Sequence, residues 1–183
     1  DDMAFIRRVS VDLIGRIPDL VEVHEFQSWP AATRREQLLD KLIAHPRFAD
    51  RWTVFFADLL RLRSAADGGA ALVAHVHRAI NDDQPYNELA SALISTNGKA
   101  GRSPEVGFLL GDNADPMAMA SVTSQVFMGV RISCAQCHNH PFDVWTRRDF
   151  YAMAAYFGKT RRFQSNFTRV VYTSETDQTS IKW

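Results

Sequence analysis

Apolar residues recur along the chain at helical spacing. Phe5, Ile6, Val9, Leu13 and Ile14 mark an opening helix, and Gly15 follows at the place where a helix end takes a left-handed residue. Pro18-Asp19 restarts the chain, with Asp19 as cap of a short helix that buries Leu20, Val23 and Phe26 and leaves His24 on the polar side. From Thr33, the positions Leu38, Leu39, Leu42 and Ile43 predict a third helix, closed at His45-Pro46 because the residue before a proline is pushed out of the helical region.

A long helix should follow. Phe48, Trp52, Phe55, Phe56, Leu59, Leu60 and Leu62 lay down a stripe wider than one neighbouring element needs, suited to core packing or to walling a flat apolar cofactor. Asp67-Gly68-Gly69 breaks the pattern, and Leu72, Val73, Val76 and Ile80 resume it. Pro85 introduces a helix through Leu89, Leu93 and Ile94 that ends at Asn97-Gly98. Residues 99–116 are rich in Gly, Pro, Asp and Asn around one apolar island, Val106 to Leu110, and read as an irregular excursion over the surface or into a cleft.

Asp115-Pro116 starts a helix whose apolar face is Met119, Val122, Val126, Phe127 and Val130, with Gly129 at its end. Trp145-Thr146 precedes another, through Phe150, Met153, Ala154 and Phe157, halted at Gly158. The remainder loses helical period. Arg169 to Thr173 has strand-like composition but no evident partner. The expected fold is therefore mainly α: an irregular multi-helix bundle over residues 1–158, then an extended tail over 159–183 with β character that leans on the rest or on a region beyond it.

Composition sets limits on partners and class. Hydrophobic residues make up 46% and charged residues 23%, ordinary for a globular chain. The 21 basic and 21 acidic residues cancel, which leaves no electrostatic footprint for nucleic acid. No apolar run is long enough to span a bilayer. The first residues lack the apolar core and cleavage site of a signal peptide, so an export signal is expected outside this chain. The chain opens directly in an amphipathic helix and stops at Ile181-Lys182-Trp183, as a piece of something longer would.

The candidate chemistry is concentrated in Cys134-Ala135-Gln136-Cys137-His138, which holds both cysteines and is followed by Asn139-His140-Pro141-Phe142-Asp143. Two thiols three residues apart with a histidine directly after them form the spacing that captures haem vinyl groups as thioethers while the imidazole ligates iron. Three other readings use the same residues. A dithiol redox couple normally opens a helix after a strand in a βαβ pattern, and no strand precedes this one. Zinc could take Cys134, Cys137, His138 and His140, although zinc sites usually set their two ligand pairs a dozen or more residues apart. A buried, inert cysteine pair leaves His138 unexplained.

The run Phe127 to Thr146, continuing to Asp149-Phe150-Tyr151, closely resembles the planctomycete-type cytochrome-like domain. Arg7 to Gly15 is similar to the family's amino-terminal signature, Arg51-Trp52 with Asp58-Leu59 to its second, and Asn81 to Tyr86 to its third, so the likeness reaches from the first helix to about Phe157. This chain has Phe55-Phe56 where the family commonly has a His-Trp pair.

The resemblance implies a haem-binding module of large exported proteins, periplasmic or extracellular, often followed by a second domain. Carried over, Cys134 and Cys137 would form the thioethers to haem c and His138 the proximal iron bond. His140, too near along the chain to reach the opposite haem face, would hydrogen-bond a propionate or the backbone. Trp145 would pack on the ring. Arg131, Arg147 and Arg148 are placed to pair with propionates. Met117, Met119, Met128, Met153, His75 and His77 are the distal candidates. His75 and His77 lie two apart and face different ways, and each methionine serves equally as core filler.

The expected function is a mono-haem c-type electron carrier working with a redox partner protein or a second domain of a longer chain. A five-coordinate haem enzyme or gas-ligand sensor is the first alternative, and a zinc-binding or structural interaction module the second.

Overall fold

The computed structural model describes residues 1–167, 170–178 and 181. It is mainly helical, with a small antiparallel sheet near the carboxyl end. The chain divides into two compact units: Asp1–Phe56 with His77–Asp83, and Ala57–Val76 with Gln84–Trp183.

The first unit is built on α1 (Asp2–Ile14), α2 (Leu20–Ser28), α3 (Arg34–Ile43) and the start of α4 (Arg47–Leu59). Gly15 ends α1 at φ 73°, as its position predicts, and its N–H bonds the Val11 carbonyl. Asp19 caps α2 in a reciprocal box with Glu22. Ile6, Ile14, Phe26, Leu38 and Leu42 form the core that these three helices share. Arg16 grips Glu22 through two hydrogen bonds of 2.8 and 2.7 Å, and Asp2 takes Arg35 at 2.7 Å and Arg34 at 3.3 Å.

The aromatic stripe of α4 is only partly core. Ala49 and Thr53 are its buried residues, whereas Phe55 and Leu59 stay 44% and 45% exposed. Phe48, Trp52, Phe55 and Phe56 instead contact one another edge-on or tilted, at centroid distances of 5.3 to 6.4 Å.

In the second unit, α5 (Gly69–Asn81) and α6 (Tyr86–Ser95) precede the apolar island expected to be irregular. That island is instead ordered and buried: Pro104–Val106 forms a 3₁₀ turn, Gly107–Leu110 is α7, and Val106, Phe108, Leu109 and Leu110 are all core. The run is too short to show a period, so burial rather than periodicity sets its conformation. Gly107 makes this possible, because a Cβ there would stand 2.8 Å from the Gly68 carbonyl oxygen.

Next come α8 (Pro116–Phe127), capped by Asp115, and α9 (Arg147–Tyr156), capped by Thr146 in a second reciprocal box with Asp149. They pack on each other around Ala120, Ile132, Ala135, Phe150 and Ala154.

The tail pairs within the chain. Here β2 (Thr160–Gln164) and β1 (Gly98–Lys99) flank β3 (Val171–Glu175), all antiparallel, with Phe163 opposite Tyr172 and their rings stacked at 5.4 Å. Arg169, expected at the start of that strand, and Lys182 and Trp183 lie outside the described residues. Among those described, no helix is long and apolar enough to cross a membrane.

Candidate functional site

The cysteines are positioned by the end of α8. Both Met128 N–H and Val130 N–H bond the Ser124 carbonyl at 3.1 Å, with Gly129 between them at φ 68°, so the chain reverses out of the helix. Ile132 then plugs into the core and Ser133–Gln136 makes a single 3₁₀ turn, with Ala135 N–H bonding the Ile132 carbonyl at 2.9 Å. Ala135 is fully buried against Phe150 and Ala154, which pins the inner side of the turn. Its neighbours Cys134, Gln136 and Cys137 consequently face solvent, and both thiols are free.

The loop after the cysteines is closed by four hydrogen bonds. His140 N–H reaches the Trp145 carbonyl at 2.7 Å, and Arg147 N–H, at the start of α9, reaches Asn139 Oδ1 at 3.1 Å. His138 Nδ1 lies 2.7 Å from the Asn139 carbonyl, and Phe142 N–H points at His140 Nδ1 at 3.2 Å. A carbonyl only accepts, so Nδ1 of His138 carries a proton and the lone pair of the neutral ring sits on Nε2. A backbone N–H only donates, so Nδ1 of His140 is unprotonated and its neutral ring carries the proton on Nε2. The two imidazoles are held in opposite tautomers: His138 is ready to ligate through Nε2, His140 to donate from it.

Apolar side chains stand out around this loop. Phe142 is 94% exposed and Val144 82%. Beside the loop, α8, α9, Ile132 and Trp145 enclose a cleft of about 640 Å³. Met128 and Met153 both line it, whereas Cys134, Cys137 and His138 do not. Met119 is buried in the core, and Met117 packs against the cluster around Ala135. His75 places Nε2 at 3.6 Å from Glu105, beyond hydrogen-bond reach, so that buried nitrogen has no hydrogen-bond partner. His77 belongs to the first unit, where Nε2 lies 3.0 Å from Asp50.

Of the basic flank, Arg131 and Arg148 are exposed, while Arg147 lies over the Tyr151 ring at 5.8 Å. Trp145 walls the cleft and packs on the core cluster. Among the described residues, no three His, Cys, Asp or Glu side chains converge as a metal-holding group.

A family model described as PSCyt2, protein of unknown function (DUF1549), matches residues 1–162. The chain belongs to the PSCyt2 family. No curated protein and no solved structure matches it. The PSCyt2 match spans the cysteine turn, its loop and the residues walling the cleft, and it stops before β3. The planctomycete-type family expected from the motifs is thus the family found, as a domain of unknown function.

Two residues of this PSCyt2 site escape a reading of the sequence. Asn139 looks like a spacer between histidines until its side chain is seen to tie the loop to α9. Thr123 looks like one polar residue on an amphipathic helix until it is found 4% exposed and lining the cleft. A hydroxyl on the apolar face of α8, one residue after Val122, is the only signal the sequence carries for it.

Proposed function

We propose that this PSCyt2 domain is a c-type cytochrome module that carries one haem through thioether bonds from Cys134 and Cys137, with His138 as the proximal ligand. The observation that carries this reading is the state of His138: beside two free, exposed thiols, its Nδ1 is hydrogen-bonded to a backbone carbonyl and its Nε2 lone pair is left for a metal. The donor set fits the group. Phe142 and Val144, almost fully exposed on the same loop, are the apolar side chains that a porphyrin would cover, at roughly 1.5 to 3 kcal/mol for each one buried.

Haem bound there would supply one-electron redox chemistry. The protein's share is to hold the imidazole in the ligating tautomer and to offer Nε2–H of His140 and the exposed guanidiniums of Arg131 and Arg148 to anionic groups at the ring edge. A neighbouring domain or a redox partner would exchange the electron. Thioether attachment requires haem-attachment machinery, which places the working protein in an exported, periplasmic or extracellular setting.

The test is a chromophore. Protein matured in an oxidising compartment with that machinery should keep a Soret band through acid-acetone extraction, and Cys134→Ala with Cys137→Ala should lose it. Colourless protein with stoichiometric zinc would overturn the reading. Carbon monoxide binding by the reduced form separates an open sixth position, suited to a sensor or enzyme, from a closed one suited to electron transfer.

A further inference from the structure

The cleft between α8 and α9 carries a second inference. Its walls are nearly all apolar, with rings from Phe127, Trp145, Tyr156 and Phe157 and the adaptable thioethers of Met128 and Met153. Into this surface the helix turns two adjacent hydroxyls that behave differently. Ser124 Oγ bonds the Ala120 and Ser121 carbonyls at 2.8 and 3.1 Å, the ordinary way a helix absorbs a buried hydroxyl. Thr123 Oγ1, equally buried, has no hydrogen-bond partner. Leaving such a group unsatisfied costs about 1 to 3 kcal/mol, and buried polar atoms in folded proteins almost always have a partner.

The electrostatics narrow the class of ligand. No Lys, Arg or His is among the residues that line the cleft. Its one carboxylate, Asp149, is held below the usual carboxylate range by the Thr146 backbone N–H and then by the Thr146 hydroxyl, so it stays negative while serving its own helix cap. An anionic ligand would bury its charge without a counter-charge and beside a like one. A cation would find only a carboxylate already engaged.

We propose that the cleft binds a neutral ring compound bearing one carbonyl or hydroxyl group, anchored by Thr123 Oγ1 and stacked among the aromatic walls. Because Cys134, Cys137 and His138 do not line the cleft, this site is separate from the thioether chemistry and stands or falls independently of it.

Calorimetric titration with three matched probes, naphthol, naphthalene and naphthoate, tests the assignment. Naphthol should bind about threefold to tenfold tighter than naphthalene, the worth of one neutral hydrogen bond. Naphthoate should bind weakest. Thr123→Val, which keeps the shape, should erase the advantage of naphthol, leave naphthalene unchanged and melt no lower than the parent. Ala152→Trp, at an exposed position on the rim, should block both neutral probes.

Equal binding of naphthol to parent and Thr123→Val would mean that water alone satisfies the hydroxyl, and would overturn the proposal. A lower melting temperature for Thr123→Val would reveal a partner within the protein and do the same. The titration is run on haem-loaded protein and on Cys134→Ser with Cys137→Ser. Naphthol binding confined to the latter would give the cleft to the macrocycle and overturn the proposal, whereas binding by protein that never acquires a Soret band would sink the haem reading alone.

Discussion

Asn139 and Arg147 are joined across the motif loop, the side-chain oxygen of Asn139 accepting the first backbone N–H of α9 at 3.1 Å. That bond satisfies an orphan donor at a helix start and fixes the residue whose carbonyl orients His138. Asn139→Ala should cost about 1 kcal/mol, a fall of roughly 2 to 4 °C in melting temperature. Asn139→Asp keeps the acceptor and should recover most of the loss. Equal melting of all three proteins would show that the tie contributes nothing.

The opposed tautomers of His138 and His140 predict unequal consequences of losing each ring. In loaded protein, His138→Ala should shift the Soret band, and added imidazole should restore it. His140→Ala should leave the coordination spectrum in place and cost only the acceptor for Phe142 N–H, about 1 kcal/mol. The reverse pattern, with the spectrum lost on changing His140, would move the iron bond to the other histidine.

Acid stability of the first unit should depend on Glu22. The Arg16 guanidinium hydrogen-bonded to it, helped by the Asp19 backbone N–H, lowers its pKa from 4.5 to about 2. A depressed carboxylate contributes stability above its unfolded pKa and loses it as pH falls through the folded value. The contribution is therefore full above about pH 4.5 and gone below about pH 2. Partial solvent screening of the pair limits it to the order of 1 to 2 kcal/mol. Chemical denaturation of parent and Glu22→Gln across that window should give curves that converge at the acid end.

Two glycines should fail for different reasons. At Gly107 the backbone is an ordinary helical one, but a Cβ would meet the Gly68 carbonyl oxygen at 2.8 Å and Leu72 Cβ at 2.9 Å, so Gly107→Ala should cost about 1 to 3 kcal/mol. At Gly129 nothing lies within 4 Å, and the cost comes from φ 68° alone, about 1 kcal/mol. Asparagine, which tolerates that conformation, should rescue position 129 better than alanine does and should not rescue position 107. Matching losses at the two sites would refute the distinction.

How far the sequence could be read follows from the range of the interactions involved. Helix ends were legible because their signals are local: Gly15, the Asp19 and Glu22 pair, Asp115 before Pro116, and Thr146 with Asp149 all act within four residues. The cysteine turn was legible because its spacing is covalent arithmetic. The burial of Val106 to Leu110 was not, since it depends on Gly68, some forty residues earlier, leaving room for Gly107. Nor was the sheet, whose central strand pairs with two residues at Gly98–Lys99, more than seventy positions away. The tautomer of His138 hangs on where one carbonyl points, and no pattern of letters encodes that.

The burial of Ala135 makes the two residues between the sulfurs unequal. Position 135 is a size filter set by Phe150 and Ala154, where any longer side chain would lever the turn off its seat and swing both thiols. Position 136 has no such constraint and accepts whatever the solvent accepts. A library randomised at both would return one small letter and one free choice, although the motif written as CxxCH gives them the same symbol.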